Sequence, residues 1–122
     1  MSILIKNGRV IDPKNNVDAI LDILVVNGKI ADLNKNLDPK KAKQIIDASK
    51  KIVMPGIIDL QLNLREPGNQ YKSTLESEMK AAIAGGVTGM VCPPDTTPIL
   101  DEPGLVKMLK NKSEALKRGN VY

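Results

Sequence analysis

Over the first fifty positions, apolar residues come in short runs separated by turn-forming residues. Ile3-Leu4-Ile5 leads into Lys6-Asn7-Gly8-Arg9, and Val10-Ile11 follows before Asp12-Pro13. Asn-Gly between two apolar runs predicts a hairpin, because both central residues of a type I′ turn need positive φ. The device recurs where Asp22-Ile23-Leu24-Val25-Val26 meets Asn27-Gly28 and then Lys29-Ile30-Ala31. A third strand pattern, Gln44-Ile45-Ile46-Asp47-Ala48, runs toward Lys51-Ile52-Val53-Met54. β-Branched residues dominate the apolar set and glutamate is absent, so residues 1–54 are expected to form a small antiparallel β unit.

At Met54-Pro55-Gly56 the pattern changes. Ile57-Ile58-Asp59-Leu60-Gln61-Leu62-Asn63-Leu64 predicts a longer strand buried on both sides, followed by Arg65-Glu66-Pro67-Gly68 and a polar loop through Lys72. Ser73 with Glu76 has the spacing of a capping box. Leu75, Met79, Ala82 and Ile83 then fall on one helical face that Gly85-Gly86 ends. Val87-Thr88-Gly89-Met90-Val91-Cys92 predicts a second buried strand, stopped by Pro93-Pro94. Asp101 and Pro103 open a second helix with Leu105, Met108, Leu109 and Leu116 inward, and Val121-Tyr122 begins one more strand. Strand, helix, strand, helix, strand is the order of a parallel α/β fold built by right-handed crossovers, here over residues 55–122.

Composition narrows the chemistry. The chain has 122 residues, a net charge of +4 and 42% hydrophobic residues. That is enough for a core, but a complete (β/α)₈ barrel typically needs about 250 residues. No apolar run approaches the ~20 residues of a membrane span, and the N-terminus does not read as a signal peptide. The lone Cys92 excludes an internal disulfide framework and fits a reducing cytoplasm; at the end of a buried strand it reads as a small hydrophobe. Met54, Met79, Met90 and Met108 read as core filler. With no histidine, a Ser-His-Asp triad, a Cys-His pair and a histidine-built metal centre are all excluded within the chain. Two tyrosines, no Phe and no Trp offer little for nucleic-acid bases to stack on, so the Lys40-Lys41-Ala42-Lys43 cluster reads as a solvated loop.

In parallel α/β folds function gathers at the carboxyl ends of the strands, which points to two loops, 63–72 and 93–101. Gln61 and Asn63, two apart in a strand, face the same way at such an end. Neutral amide oxygens suit a transition metal poorly, so the pair reads as hydrogen-bonding within the sheet end.

The stretch from Pro55 to Gly68, Pro-Gly-Ile-Ile-Asp-Leu-Gln-Leu-Asn-Leu-Arg-Glu-Pro-Gly, resembles the signature of dihydroorotases in the amidohydrolase superfamily. So does Ala84-Gly85-Gly86-Val87-Thr88 followed by Pro94-Asp95-Thr96-Thr97-Pro98. The resemblance covers essentially the whole chain but about the first third of a family member. It implies a β-sandwich segment over 1–54 and, over 55–122, the first βα units of a TIM-like amidohydrolase barrel, incomplete at this length. The family uses zinc, held in part by a His-x-His motif on the first barrel strand; here Gln61-Leu62-Asn63 stands in its place. Arg65 matches the arginine that clamps the substrate carboxylate, and Asp95 stands where the family has an asparagine that helps hold it. Asp59 also matches, at a position with a structural role. Without its partners Arg65 reads as a salt bridge with Glu66 or Asp95. With both imidazoles replaced, neither a bound zinc nor a catalytic residue is expected.

The wording is closer still to the noncatalytic dihydroorotase-like subunit found with some bacterial aspartate carbamoyltransferases. Tyr71-Lys72-Ser73-Thr74-Leu75-Glu76-Ser77-Glu78-Met79, Cys92-Pro93-Pro94-Asp95-Thr96 and Leu100-Asp101-Glu102-Pro103-Gly104-Leu105-Val106 carry that likeness. It implies a scaffold that partners the transferase catalytic chain in pyrimidine biosynthesis. The rival expectation is an active dihydroorotase, a cyclic amidohydrolase whose altered metal site uses Asp59, Asp95 and Gln61. A dihydropyrimidinase-like non-enzymatic protein fits Leu64-Arg65-Glu66-Pro67-Gly68 less well. Exposed apolar surface from Ile57, Ile58, Val87, Met90 and Val91 is expected to make the chain self-associate.

Overall fold

The chain does not turn at Asn7-Gly8. In the computed structural model, which describes residues 1–122, β1 (Ser2–Asp12) runs straight through this pair and lies antiparallel to β2 (Val17–Val26). The register jumps from Ile5 opposite Ile23 to Gly8 opposite Leu21, so Lys6 and Asn7 share the single partner Asp22. This is a β-bulge, and Asn7 takes the positive φ of 62° that a hairpin turn would also have used. The buried Asp22 carboxylate decides between the two outcomes. It accepts the Asn7 N–H at 2.8 Å and the Leu37 N–H at 3.0 Å, with Lys6 Nζ 3.5 Å away. The bulge also resets the alternation: Ile5 and Val10, five positions apart, come to lie on one face of the sheet.

Asn27-Gly28 does form the expected hairpin, with φ of 51° and 77°, and joins β2 to β3 (Lys29–Asn34). β4 (Gln44–Asp47) and β5 (Ile52–Val53) both pair with β1 in parallel, so the unit is mixed rather than antiparallel. The reason lies in residues 35–43. Leu37 is buried against Leu4 and Leu24, which draws the chain across one face and returns it alongside the start of β1 in the same direction. The strands of residues 1–55 form one five-stranded sheet, ordered β3-β2-β1-β4 with β5 also on β1. Met54, expected in a core, is largely exposed.

Residues 1–55 form this first compact unit and residues 56–122 a second. In the second, β6 (Ile57–Asp59), α1 (Leu75–Ala84), β7 (Val87–Met90), α2 (Pro103–Leu116) and β8 (Asn120–Val121) follow one another as the hydrophobic pattern predicts. The strands make an all-parallel sheet in the order β6-β7-β8. Its core gathers Leu64, Leu75, Met79, Ala82, Met90, Leu109 and Val121.

Three expectations need correction here. The strand from Ile57 stops at Asp59, whose carboxylate accepts the Gln61 N–H at 2.9 Å and bends the chain; Ile57 and Ile58 are exposed rather than buried, while Met90 is fully buried. The helix cap is Thr74 rather than Ser73. Thr74 Oγ1 accepts the Ser77 N–H at 3.2 Å and Ser77 Oγ accepts the Thr74 N–H at 3.0 Å, while the Ser73 hydroxyl donates to Glu78. On α2 the inward line runs through Leu109, Ser113 and Leu116, leaving Met108, one residue off that line, exposed.

Candidate functional site

Two loops leave the carboxyl ends of the first two strands of the parallel sheet, one after Asp59 and one after Met90. The first is anchored by Leu64, fully buried in the core between β7 and the two helices. Arg65 then takes a left-handed φ of 64°, a conformation that costs a non-glycine residue about 1 kcal/mol or more. Its carbonyl accepts the Asn69 N–H at 2.9 Å, closing a tight turn. Buried residues on both sides, Leu64 and Glu66, hold the arginine in this conformation.

Glu66 is the anchor that sequence reasoning missed. Its carboxylate accepts the Leu75 N–H at 2.8 Å and is paired with Lys112 of α2. Leu75 opens α1, so the carboxylate satisfies one of the four amide donors that a helix start leaves unpaired. Burial by itself would raise the Glu66 pKa. The hydrogen bond from Lys112, then that from Leu75 and the Lys112 charge, outweigh it, and the carboxyl lies below the ordinary glutamate range. A glutamate flanked by a buried strand end and a Pro-Gly turn, shortly before a helix start, is the signal that could have found it. Nothing local in the sequence points to Lys112.

The salt bridge expected for Arg65 is absent. Glu66 is taken by Lys112, and Asp95 is taken by Asn63, whose side-chain amide donates to its carboxylate. Arg65 is left half-buried with no ion pair. Asn63 and Asp95 therefore meet, one from each loop, across the mouth of the sheet. A second tie lies beside them, where Thr97 N–H donates to the Pro67 carbonyl at 3.2 Å. Gly68 is required at this crossing: it has φ 92°, and a Cβ there would run into the Thr97 carbonyl. Gln61 lies outside the strand, its side chain exposed and without a hydrogen bond, so it does not face the sheet with Asn63 as the two-residue spacing implied.

Cys92, half-buried, packs against the core, and its Sγ lies 3.5 Å from the Pro93 carbonyl. Burial pushes its thiol pKa up; a backbone hydrogen bond with Leu64 opposes this and the Asp95 charge adds to it. The group is thus a protonated thiol at neutral pH, unsuited to nucleophilic attack.

These residues do not fit the zinc that the dihydroorotase resemblance implies. Asn63 has committed its amide to Asp95, Gln61 points to solvent, and Asp59 is engaged by the Gln61 backbone. No group of three or more His, Cys, Asp or Glu is gathered anywhere in the two units. Nor is any helix long and apolar enough to cross a membrane.

Comparison with known proteins places the chain. The family described as Dihydro-orotase-like matches residues 50–122. A dihydroorotase of Geobacter metallireducens is 43% identical over all 122 residues, and one of Sulfurihydrogenibium sp. is 42% identical over 114 residues, 93% of the chain. The chain spans 29% and 27% of those two proteins. Among solved structures, an L-hydantoinase (dihydropyrimidinase) from Arthrobacter aurescens superposes on 91% of the chain with a TM-score of 0.81 and 26% identity, using 24% of its own length. The mixed α/β architecture is thus that of the amidohydrolase fold, and the chain belongs to the dihydro-orotase-like family.

Proposed function

We propose that this protein is a noncatalytic dihydroorotase-like scaffold whose partner is the catalytic chain of aspartate carbamoyltransferase, in de novo pyrimidine biosynthesis. In this reading residues 1–54 contribute one sheet of a β-sandwich, and residues 55–122 are the opening βα units of a TIM-like barrel. The observation that carries it is the Asn63–Asp95 contact. Where the family resemblance implies an imidazole and a substrate-binding asparagine, this chain has two side chains that satisfy each other. Zinc supplies a low-pKa water in such enzymes; a neutral amide already bonded to a carboxylate gives it no strong ligand. Asp95 also opposes the anionic substrate that Arg65 would attract, a repulsion on the order of a kcal/mol at partly exposed separations. Arg65 and Asp95 are thus degenerate substrate positions rather than working ones.

The competing reading, an active dihydroorotase with an altered metal site, draws on the name that relatives above 40% identity carry. One set of measurements on the full protein separates the two. Metal analysis and a dihydroorotate hydrolysis assay are expected to give neither stoichiometric zinc nor turnover. Mixing with aspartate carbamoyltransferase is expected to change the size and activity of the transferase. Stoichiometric zinc or manganese with turnover would overturn the scaffold reading, and an unchanged transferase would remove the partner.

A further inference from the structure

The charge of this chain is unevenly placed. Residues 1–55 hold ten of its eighteen Lys and Arg residues but six of its fourteen acids, so the whole net charge of +4 belongs to the first unit. Most of those acids are turned inward on the chain itself. Asp12, Asp38 and Asp47 accept backbone N–H groups of their own turns, Asp22 accepts two, and Asp18 takes a two-pronged bond from Arg9 at 2.7 Å. Apart from Lys6 beside Asp22, no lysine of the unit has a carboxylate within ion-pair distance. Five of the six carboxylates, all but Asp32, are thus engaged locally, while every lysine but Lys6 lies beyond ion-pair distance of a carboxylate.

The free charge borders an apolar pair. Ile20 on β2 and Ile52 on β5 both lie in register with Arg9 on β1, so the three side chains stand side by side on one face. The isoleucines are 65% and 59% exposed. A hollow of about 250 Å³ opens there, lined by Asn7, Arg9, Ile20, Lys50, Lys51 and Ile52. A second hollow of the same size shares Asn7 and Ile20 and is lined further by Leu21, Lys35, Asn36 and Asp22, whose carboxylate is already taken by the Asn7 and Leu37 N–H groups and Lys6.

We propose that this face is a docking surface for an acidic protein segment that brings aliphatic side chains, which would seat on Ile20 and Ile52 while its carboxylates meet Lys50, Lys51 and Lys35. Charge complementarity selects this occupant. A second copy of the face would bring like charge against like charge. Single-stranded nucleic acid would find no stacking platform, because both tyrosines, Tyr71 and Tyr122, lie in the other unit and the chain has no Phe or Trp. The proposal does not depend on whether the site around Asn63 and Asp95 is catalytic.

Titrating the full protein with a fluorescent peptide of alternating glutamate and leucine residues tests it, with single-stranded DNA as the second probe. The peptide is expected to bind and to weaken as salt rises. Lys50→Glu with Lys51→Glu is expected to cost roughly tenfold or more in affinity. Ile52→Ser, which leaves the charge unchanged, is expected to weaken binding as well. Lys107→Glu with Lys117→Glu, the same charge change in the other unit, is expected to leave binding intact. The proposal is overturned if the peptide fails to bind, or if the two charge-reversed pairs lose affinity equally. It is also overturned if DNA binds more tightly than the peptide and Ile52→Ser has no effect on either.

Discussion

Removing the Glu66 carboxylate tests how the loop that carries Arg65 is held. In Glu66→Ala the buried Leu75 N–H loses its acceptor, a loss of about 1–3 kcal/mol for a buried donor left unpaired. Lys112 adds little, because its side chain is 54% exposed and rehydrates; such a partner contributes about 0–1 kcal/mol. The expected destabilisation is therefore about 2–3 kcal/mol, most of it at the start of α1. Glu66→Gln keeps a carbonyl oxygen for Leu75 and loses only the charge toward Lys112, so it is expected to cost about 1 kcal/mol. Urea unfolding of the three proteins gives the order, and hydrogen exchange at the Leu75 amide locates it. The folded carboxyl titrates below its unfolded value, so its stabilisation is complete above the ordinary glutamate range and is lost as pH falls through the folded value. Glu66→Gln is expected to flatten that acid limb. Equal costs for Ala and Gln, with Leu75 exchange unchanged in both, would refute the reasoning.

The tie between Asn63 and Asp95 is exposed, so Asn63→Ala and Asp95→Ala are each expected to lower stability by only about 0.5–1 kcal/mol. Asn63→Asp sets two carboxylates against each other and is expected to cost more at neutral pH, with the deficit shrinking in acid; thermal melts across pH would contradict this if the deficit stayed constant. The 122-residue chain on its own is expected to self-associate through apolar surface such as Ile58, 62% exposed, and Leu60, 76% exposed. A sedimentation run at micromolar concentration that finds a monomer with a sharp thermal transition would count against that surface being sticky.

The parallel unit was legible in the sequence where periodicity alone decides the element. Leu75, Met79 and Ala82 fall on the buried face of α1, and Val121 enters the sheet as the pattern predicts. Where two local solutions are equally good, the sequence signal ran out. Asn7-Gly8 meets the needs of a turn and of a bulge alike, and Asp22, fifteen positions away, makes the choice. Ser73 and Thr74 are both competent caps, so the helix start slipped by one residue. The resemblance singled out Gln61, Asn63, Arg65 and Asp95, and the structure brings only Asn63 and Asp95 into contact. The partner of Glu66 was illegible because Lys112 stands 46 positions away on a helix face read only for its apolar residues.

The bulge in β1 has a consequence for how this chain tolerates changes in length. Upstream of it, odd-numbered positions such as Ile5 share a face with Val10, an even-numbered position downstream. Deleting Asn7 would restore an unbroken alternation and carry Val10, Gly8 and Asp12 to the opposite side of the sheet, bringing Arg9 and Ile11 into their places. Five residues would change sides for the loss of one. The connection over residues 35–43 is different: adding a residue there changes closure entropy by a fraction of a kcal/mol, provided Leu37 keeps its seat. Insertions and deletions accumulating in relatives of this chain should therefore spare positions 6 and 7 and collect in that connection, whatever happens to the side chains on either side.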